Sequence, residues 1–163
     1  MSYSMHRIFC ATPGDLEEER QAFYNVVGEF NEAQAMPQGV LFVSVALPAA
    51  TTDKRPYQGA IRENICACRY FILVLEDTWG PPQLNFEREY AIATSCVNDP
   101  SLPMNQVAVL FKKPLVPHQV EPAVGELKRK LASDEFEGIE EYRQRLWALL
   151  SAWLPTVLPQ AAS

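Results

Sequence analysis

A chain of 163 residues with 48% hydrophobic and 21% charged side chains is long enough for one domain with a substantial core and too apolar for a disordered segment. Fourteen basic residues against twenty acidic ones leave a net charge of −6, which argues against a nucleic-acid backbone as the main partner. No apolar run approaches the roughly 18 residues that cross a bilayer, and Met1–Cys10 has no signal-peptide core, so a cytoplasmic protein with no membrane partner is expected.

The elements follow in chain order. Arg7–Ala11 predicts a short buried strand. Thr12 to Arg20 predicts a helix start, with Thr12 as cap, Pro13 at the first position and Asp15, Glu17, Glu18 and Glu19 at the positive end. Leu16, Phe23, Val27 and Phe30 recur at helical spacing, and Met36–Gly39 stops the helix after about Ala35. Val40–Leu47 predicts the second strand, Pro48–Pro56 a loop, and Tyr57–Cys68 a helix with Ile61, Ile65 and Cys68 on one stripe. Arg69–Leu75 predicts the third strand, a continuous apolar run of the kind found in buried parallel sheets.

That run ends abruptly at Glu76, Asp77, Thr78 and a Trp79-Gly80 turn. Asn85 predicts the cap of a third helix whose buried face is Phe86, Tyr90, Ala93 and Val97, ended by Asn98–Ser101. Gln106–Phe111 predicts the fourth strand, closed by Lys112-Lys113-Pro114. Pro117–Pro122 is a connector, Val124, Leu127 and Leu131 mark a fourth helix, and Phe136–Leu154 a last one stopped by Pro155. Strands alternating with helices over short links imply a parallel sheet of four to five strands covered on both faces. The expectation is a single three-layer αβα domain over 1–163, with a sheet core at 6–115 and added C-terminal helices at 121–158.

Cys10, Cys66, Cys68 and Cys96 follow no disulfide or zinc spacing and read as buried reduced thiols, with no metal expected. Lys112-Lys113 and Lys128-Arg129-Lys130 read as solvated basic faces. The last helix is apolar nearly all round, through Ile139, Tyr142, Leu146, Leu149, Leu150 and Trp153, with Trp147 and Leu154 off the stripe. It packs deeply on the domain, or it offers residues 136–154 to a second copy or a protein partner.

Ligands of open α/β sheets bind at the carboxyl ends of the strands, which is where Glu76, Asp77, Thr78 and Glu87 would gather. In the first turn after a strand, Thr12 and Gly14 leave backbone N–H groups free to hold an anion. Neither a dinucleotide fingerprint nor a phosphate loop is present. Arg20 and Arg55 are candidates for phosphate contacts, and Trp79 for stacking on a base or for covering the sheet edge. An acid in the first helical turn also has an ordinary role in steadying the helix. Phospho-receiver chemistry is excluded, because Ala11-Thr12 supplies no acidic pair after the first strand.

Arg7–Arg20, with its Asp15-Leu16 and Glu19-Arg20, resembles the opening of the family called domain of unknown function 4062. Arg55-Pro56, Trp79-Gly80 and Glu89-Tyr90 through Ala93 match its middle, so the resemblance covers about 6–115. Such domains are similar to Toll/interleukin-receptor domains and to nucleoside 2-deoxyribosyltransferases, which share a flavodoxin-like layout. The resemblance implies a bacterial-type signalling or nucleotide-binding module, with NAD or a nucleoside as ligand rather than a resident cofactor. Phe86–Ala93 is similar to the segment that carries the nucleophilic glutamate of the deoxyribosyltransferases, which implies Glu87 in that role, with Glu89 as competitor. Asp77 would hold ribose hydroxyls or act in acid–base catalysis. An N-glycosidase or NAD nucleosidase is the alternative so implied, since a carboxylate can trap or stabilise an oxocarbenium-like centre.

Overall fold

The computed structural model describes residues 2–45, 58–81 and 84–159, without the side chains of 58–60. The loop read at Pro48–Pro56, and Arg55 with it, lies outside the described residues. The elements run β1 (Ser4–Ala11), α1 (Glu17–Phe30), β2 (Val40–Val45), α2 (Gln58–Cys66), β3 (Tyr70–Leu75), α3 (Phe86–Val97), β4 (Gln106–Lys112), α4 (Pro122–Leu131), β5 (Glu135–Phe136) and α5 (Ile139–Trp153). The strands form one parallel sheet in the order β2-β1-β3-β4-β5. It is the three-layer αβα arrangement expected from the alternation of strand and helix, in the flavodoxin-like layout that the family resemblance implies.

Strand pleating explains why both faces are covered. In β3, Tyr70, Ile72 and Val74 join Ile8 and Cys10 of β1 against α1 and α5. Phe71, Leu73 and Leu75 join Phe9 and Ala11 on the opposite face, against α2, α3 and Val124 of α4. All six β3 residues are buried, as a central strand with two covered faces requires.

Several local expectations are corrected. The first helix opens at Glu17 and not at Thr12, because Gly14 takes φ +85 and the 12–16 segment is a turn. Beyond Phe30 the helix widens into a π turn at Asn31–Ala35 and ends at Gly39. There Asn31 donates from Nδ2 to Phe42 O at 2.8 Å and accepts Phe42 N–H on Oδ1 at 2.9 Å, so a side chain stands in for a neighbouring strand along part of the β2 edge.

Helix α3 centres its buried stripe on Glu89, Ile92, Ala93 and Cys96; of the expected Phe86–Val97 stripe, Ala93 is buried, Phe86 and Tyr90 are half-buried against the same core, and Val97 is exposed. Both stripes obey helical spacing; the buried one was hidden by the charge on Glu89. Phe136 belongs to the two-residue β5 and not to the last helix. Asn85 does stand at the start of α3, in the left-handed region at φ 59 that asparagine tolerates.

Helix α5 places its apolar stripe inside the domain. Tyr142, Leu146, Leu150 and Trp153 are buried, and Ile139, Trp147 and Leu149 pack against the same core. The Trp153 ring stacks on Tyr70 with centroids 4.0 Å apart and 5° between planes, and its Nε1 donates to Gln106 Oε1 at 2.7 Å. Trp147 meets Phe30 edge-on at 4.9 Å. The apolar character of 136–154 is therefore accounted for by packing within the domain. Among the described residues no helix is long and apolar enough to cross a membrane.

Trp153→Ala removes the stacked ring and its bond to Gln106, and is expected to cost about 3–5 kcal/mol, chiefly from the lost core volume. Urea unfolding of the variant beside the parent checks it, and a loss under about 1 kcal/mol would mean that α5 is peripheral to the core.

Candidate functional site

The candidate site grows from the carboxyl end of β3. After Leu75 the chain leaves the sheet, and the connector before α4 clasps it. The Glu121 N–H donates to Asp77 O at 2.8 Å. The Glu121 carboxylate accepts the Thr78 hydroxyl on Oε1 and the Trp79 N–H on Oε2 at 3.3 Å. Thr78 Oγ1 in turn accepts the Gly80 N–H at 2.9 Å. The turn packs closely on the one after β1: a Cβ on Gly14 would lie 3.2 Å from Thr78 Cγ2.

Beside this clasp lies a groove of about 550 Å³ lined by Trp79, Gly80, Pro81, Asn85, Phe86, Glu87, Arg88, Ala91 and Glu121. Glu87 is exposed on its wall and has no hydrogen bond or ion pair among the described residues. The groove therefore carries two carboxylates, one free and one held.

The sequence candidates divide accordingly. Glu87 and Trp79 line the groove, while Asp77 and Thr78 belong to the clasped turn behind it. Trp79 is only 7% exposed, and its ring lies 5.9 Å from that of Tyr90, so most of its surface is already covered. Thr12 and Gly14 sit on the neighbouring turn and do not line the groove. Arg20 pairs with Glu17 at 2.7 Å on α1, a local contact of residues three apart. Glu89 is 1% exposed on the inner side of α3 and does not line the groove either.

Sequence reasoning missed Glu121. It precedes Pro122 at the start of α4, which marks a helix boundary, but nothing local signals a bond to a hydroxyl forty-odd residues earlier.

A second charged cluster lies at the ends of β3 and β4. Leu75 pairs with Phe111, so Glu76 and Lys112 follow side by side on the face covered by α1. Lys112 Nζ reaches Glu19 Oε1 of α1 at 2.7 Å and Glu76 Oε1 at 3.8 Å. Burial pushes the Lys112 ammonium down, but the bond to Glu19 and the nearby carboxylates outweigh it and hold the group above its usual range. Burial pushes the Glu76 carboxyl up, and Lys112 only partly offsets this. Burial also raises the thiols, Cys10 and Cys96 to about 12 and Cys68 to about 11, so none of the three is a thiolate at neutral pH.

The fold has a solved counterpart. The chain is similar to a TIR domain in the crystal structure of the RPS4 and RRS1 TIR domain heterodimer, with a TM-score of 0.50 at 14% identity, over 93% of this chain and 99% of that one. No protein-family model matches the chain, and no curated protein does. The likeness is one of fold: this is a TIR-like α/β domain.

The Glu76 carboxyl is held above its ordinary 4.5, so the folded state binds that proton more tightly than the unfolded chain. Its buried charge therefore costs stability above the raised pKa, and the cost is relieved as pH falls through it. Glu76→Gln is expected to be more stable than the parent at neutral pH, with the gap closing in the acid range. Denaturant unfolding across that range checks this, and a less stable variant at neutral pH would mean the Lys112 contact dominates. Lys112→Met strands the buried Glu19 and is expected to cost ~3–5 kcal/mol by the same measurement.

Proposed function

We propose that this TIR-like domain is a nucleotide-binding signalling module, and that its ligand, NAD or a nucleoside, lies in the groove at the carboxyl end of β3. The observation that carries the reading is Glu87, a carboxylate without a partner among the described residues on the wall of a groove sized for such a ligand. Ligands of sheets with this strand order bind outside the carboxyl ends of the strands, which supports the location. Ribose hydroxyls would donate to Glu87, and Arg88 beside it would take a phosphate oxygen. Phe86 and the accessible edge of Trp79 offer apolar surface to the base. The resemblance of residues 6–115 to domain of unknown function 4062 agrees with this reading.

The same free carboxylate favours a second reading, cleavage of an N-glycosidic bond. The C1′–N bond breaks, its electron pair leaves with the base, and Glu87 stabilises or traps the anomeric carbon until water or another base takes the sugar. Asp77 is an unsuited partner in that step, because its backbone is held in the turn behind the groove and it does not line the groove.

Calorimetric titration with NAD and with deoxynucleosides, and chromatography for released base, test both readings. Glu87→Gln is expected to weaken binding by about tenfold or more, the worth of a charge-assisted hydrogen bond. Absence of binding at millimolar ligand would sink both readings. Binding without base release leaves the module reading alone, and base release unchanged by Glu87→Gln removes Glu87 as its carrier.

A further inference from the structure

Two basic runs far apart in sequence meet at one cavity. Lys112-Lys113 closes β4 and Lys128-Arg129-Lys130 ends α4, and each alone reads as a solvated face. The fold brings Lys112, Lys113, Lys128 and Arg129 around a cavity of about 460 Å³ at the ends of β4 and β5. Its apolar wall is Phe111, Val120 and Val124 with Pro114 and Pro117. It is not the groove of Glu87: the connector before α4 lies between them, with Val120 lining one cavity and Glu121 the other.

The cations are not equivalent. Lys112 is committed to Glu19, and Lys128 to Glu135 at 2.7 Å. Lys113 meets Glu137 at 3.5 Å, with the two side chains 57% and 74% exposed, a contact that contributes little. Arg129 makes no ion pair among the described residues. Its Nη1 lies 3.8 Å from where a Cβ on Gly125 would stand, so the guanidinium folds back over a glycine that itself lines the cavity. The helix dipole accounts for basic residues in the last turn of α4. It does not account for Lys113 facing them from β4.

We infer that this cavity binds a small phosphate monoester, with Lys113 and Arg129 on the phosphate and the apolar wall against the organic body. Arg129, without an ion pair among the described residues, and Lys113, held only by a solvent-exposed contact, are the cations open to a monoester dianion, and a guanidinium fork suits two phosphate oxygens. Glu76 and Glu135 in the lining oppose a longer polyanion, which separates this site from a nucleic-acid surface. The inference stands independently of the groove and of Glu87.

The test titrates the full chain with phenyl phosphate, inorganic phosphate and phenol at low ionic strength, by calorimetry. Three proteins are compared: the parent, a Lys113→Gln/Arg129→Gln double variant, and Glu87→Gln. Both substituted cations are on the surface, and circular dichroism confirms that the double variant folds. Phenyl phosphate is expected to bind, to exceed inorganic phosphate by about tenfold through the apolar wall, and to lose at least about tenfold in the double variant. Phenol is expected not to bind, and Glu87→Gln to behave as the parent. No binding of phenyl phosphate at millimolar concentration overturns the inference. So does equal binding of the two phosphates, binding that survives the double variant, or binding lost in Glu87→Gln, which would assign the ligand to the groove.

Discussion

The Glu121 carboxylate holds the turn after β3 to the start of α4, and the geometry around both cavities depends on that bond. The turn leaves the central strand with its backbone polar groups unpaired by the sheet. Glu121 supplies the missing partners at three successive residues: an N–H to Asp77, and carboxylate oxygens to the Thr78 hydroxyl and the Trp79 N–H. A flexible turn is thereby seated on the connector. Glycine at 14 lets the turn after β1 come close enough to Thr78 to pack beside it. The turns after β1 and β3 thus pack on each other, and the groove of Glu87 and the cavity of Lys113 lie on either side of the connector.

The sheet was legible because its signal is strong and local. A run from Tyr70 to Leu75 with no polar residue can only be a strand or a buried helix, and the flanking turns leave too few residues for a helix. The phase of α3 was not legible in the same way. Two stripes satisfied helical spacing, and the one with a glutamate looked like the solvent side. Burial of Glu89 is decided by what surrounds it in three dimensions, not by its neighbours in sequence. The start of α1 failed for a different reason. Thr12, Pro13 and the acids imitate a helix cap, while Gly14 at positive φ delays the helix to Glu17. The two-residue β5 is too short to carry any periodicity.

For the candidate groove, the sequence pointed to Glu87, which lines it, and to the carboxyl end of β3, but not to the residues that shape the space. Glu121 and Glu19 act through partners on other elements, and no spacing rule connects them to Thr78 or Lys112. Arg20 shows the converse. It looked available for a phosphate, yet a glutamate three residues earlier on the same helix face takes it.

The charge distribution shows why composition speaks for the whole chain and not for its parts. A net charge of −6 disfavours a polyanion as partner, and that argument is about the summed field. A pocket responds to what lies within a few ångströms, where solvent screening is weak and pairing decides which charges remain active. In the cavity beyond the connector, buried and half-buried glutamates neutralise Lys112 and Lys128. The two cations held least, Lys113 and Arg129, come from a strand end and a helix end that the parallel topology sets side by side. Pairing thus engages the cations unevenly, and only the fold determines which ones it leaves open to a ligand.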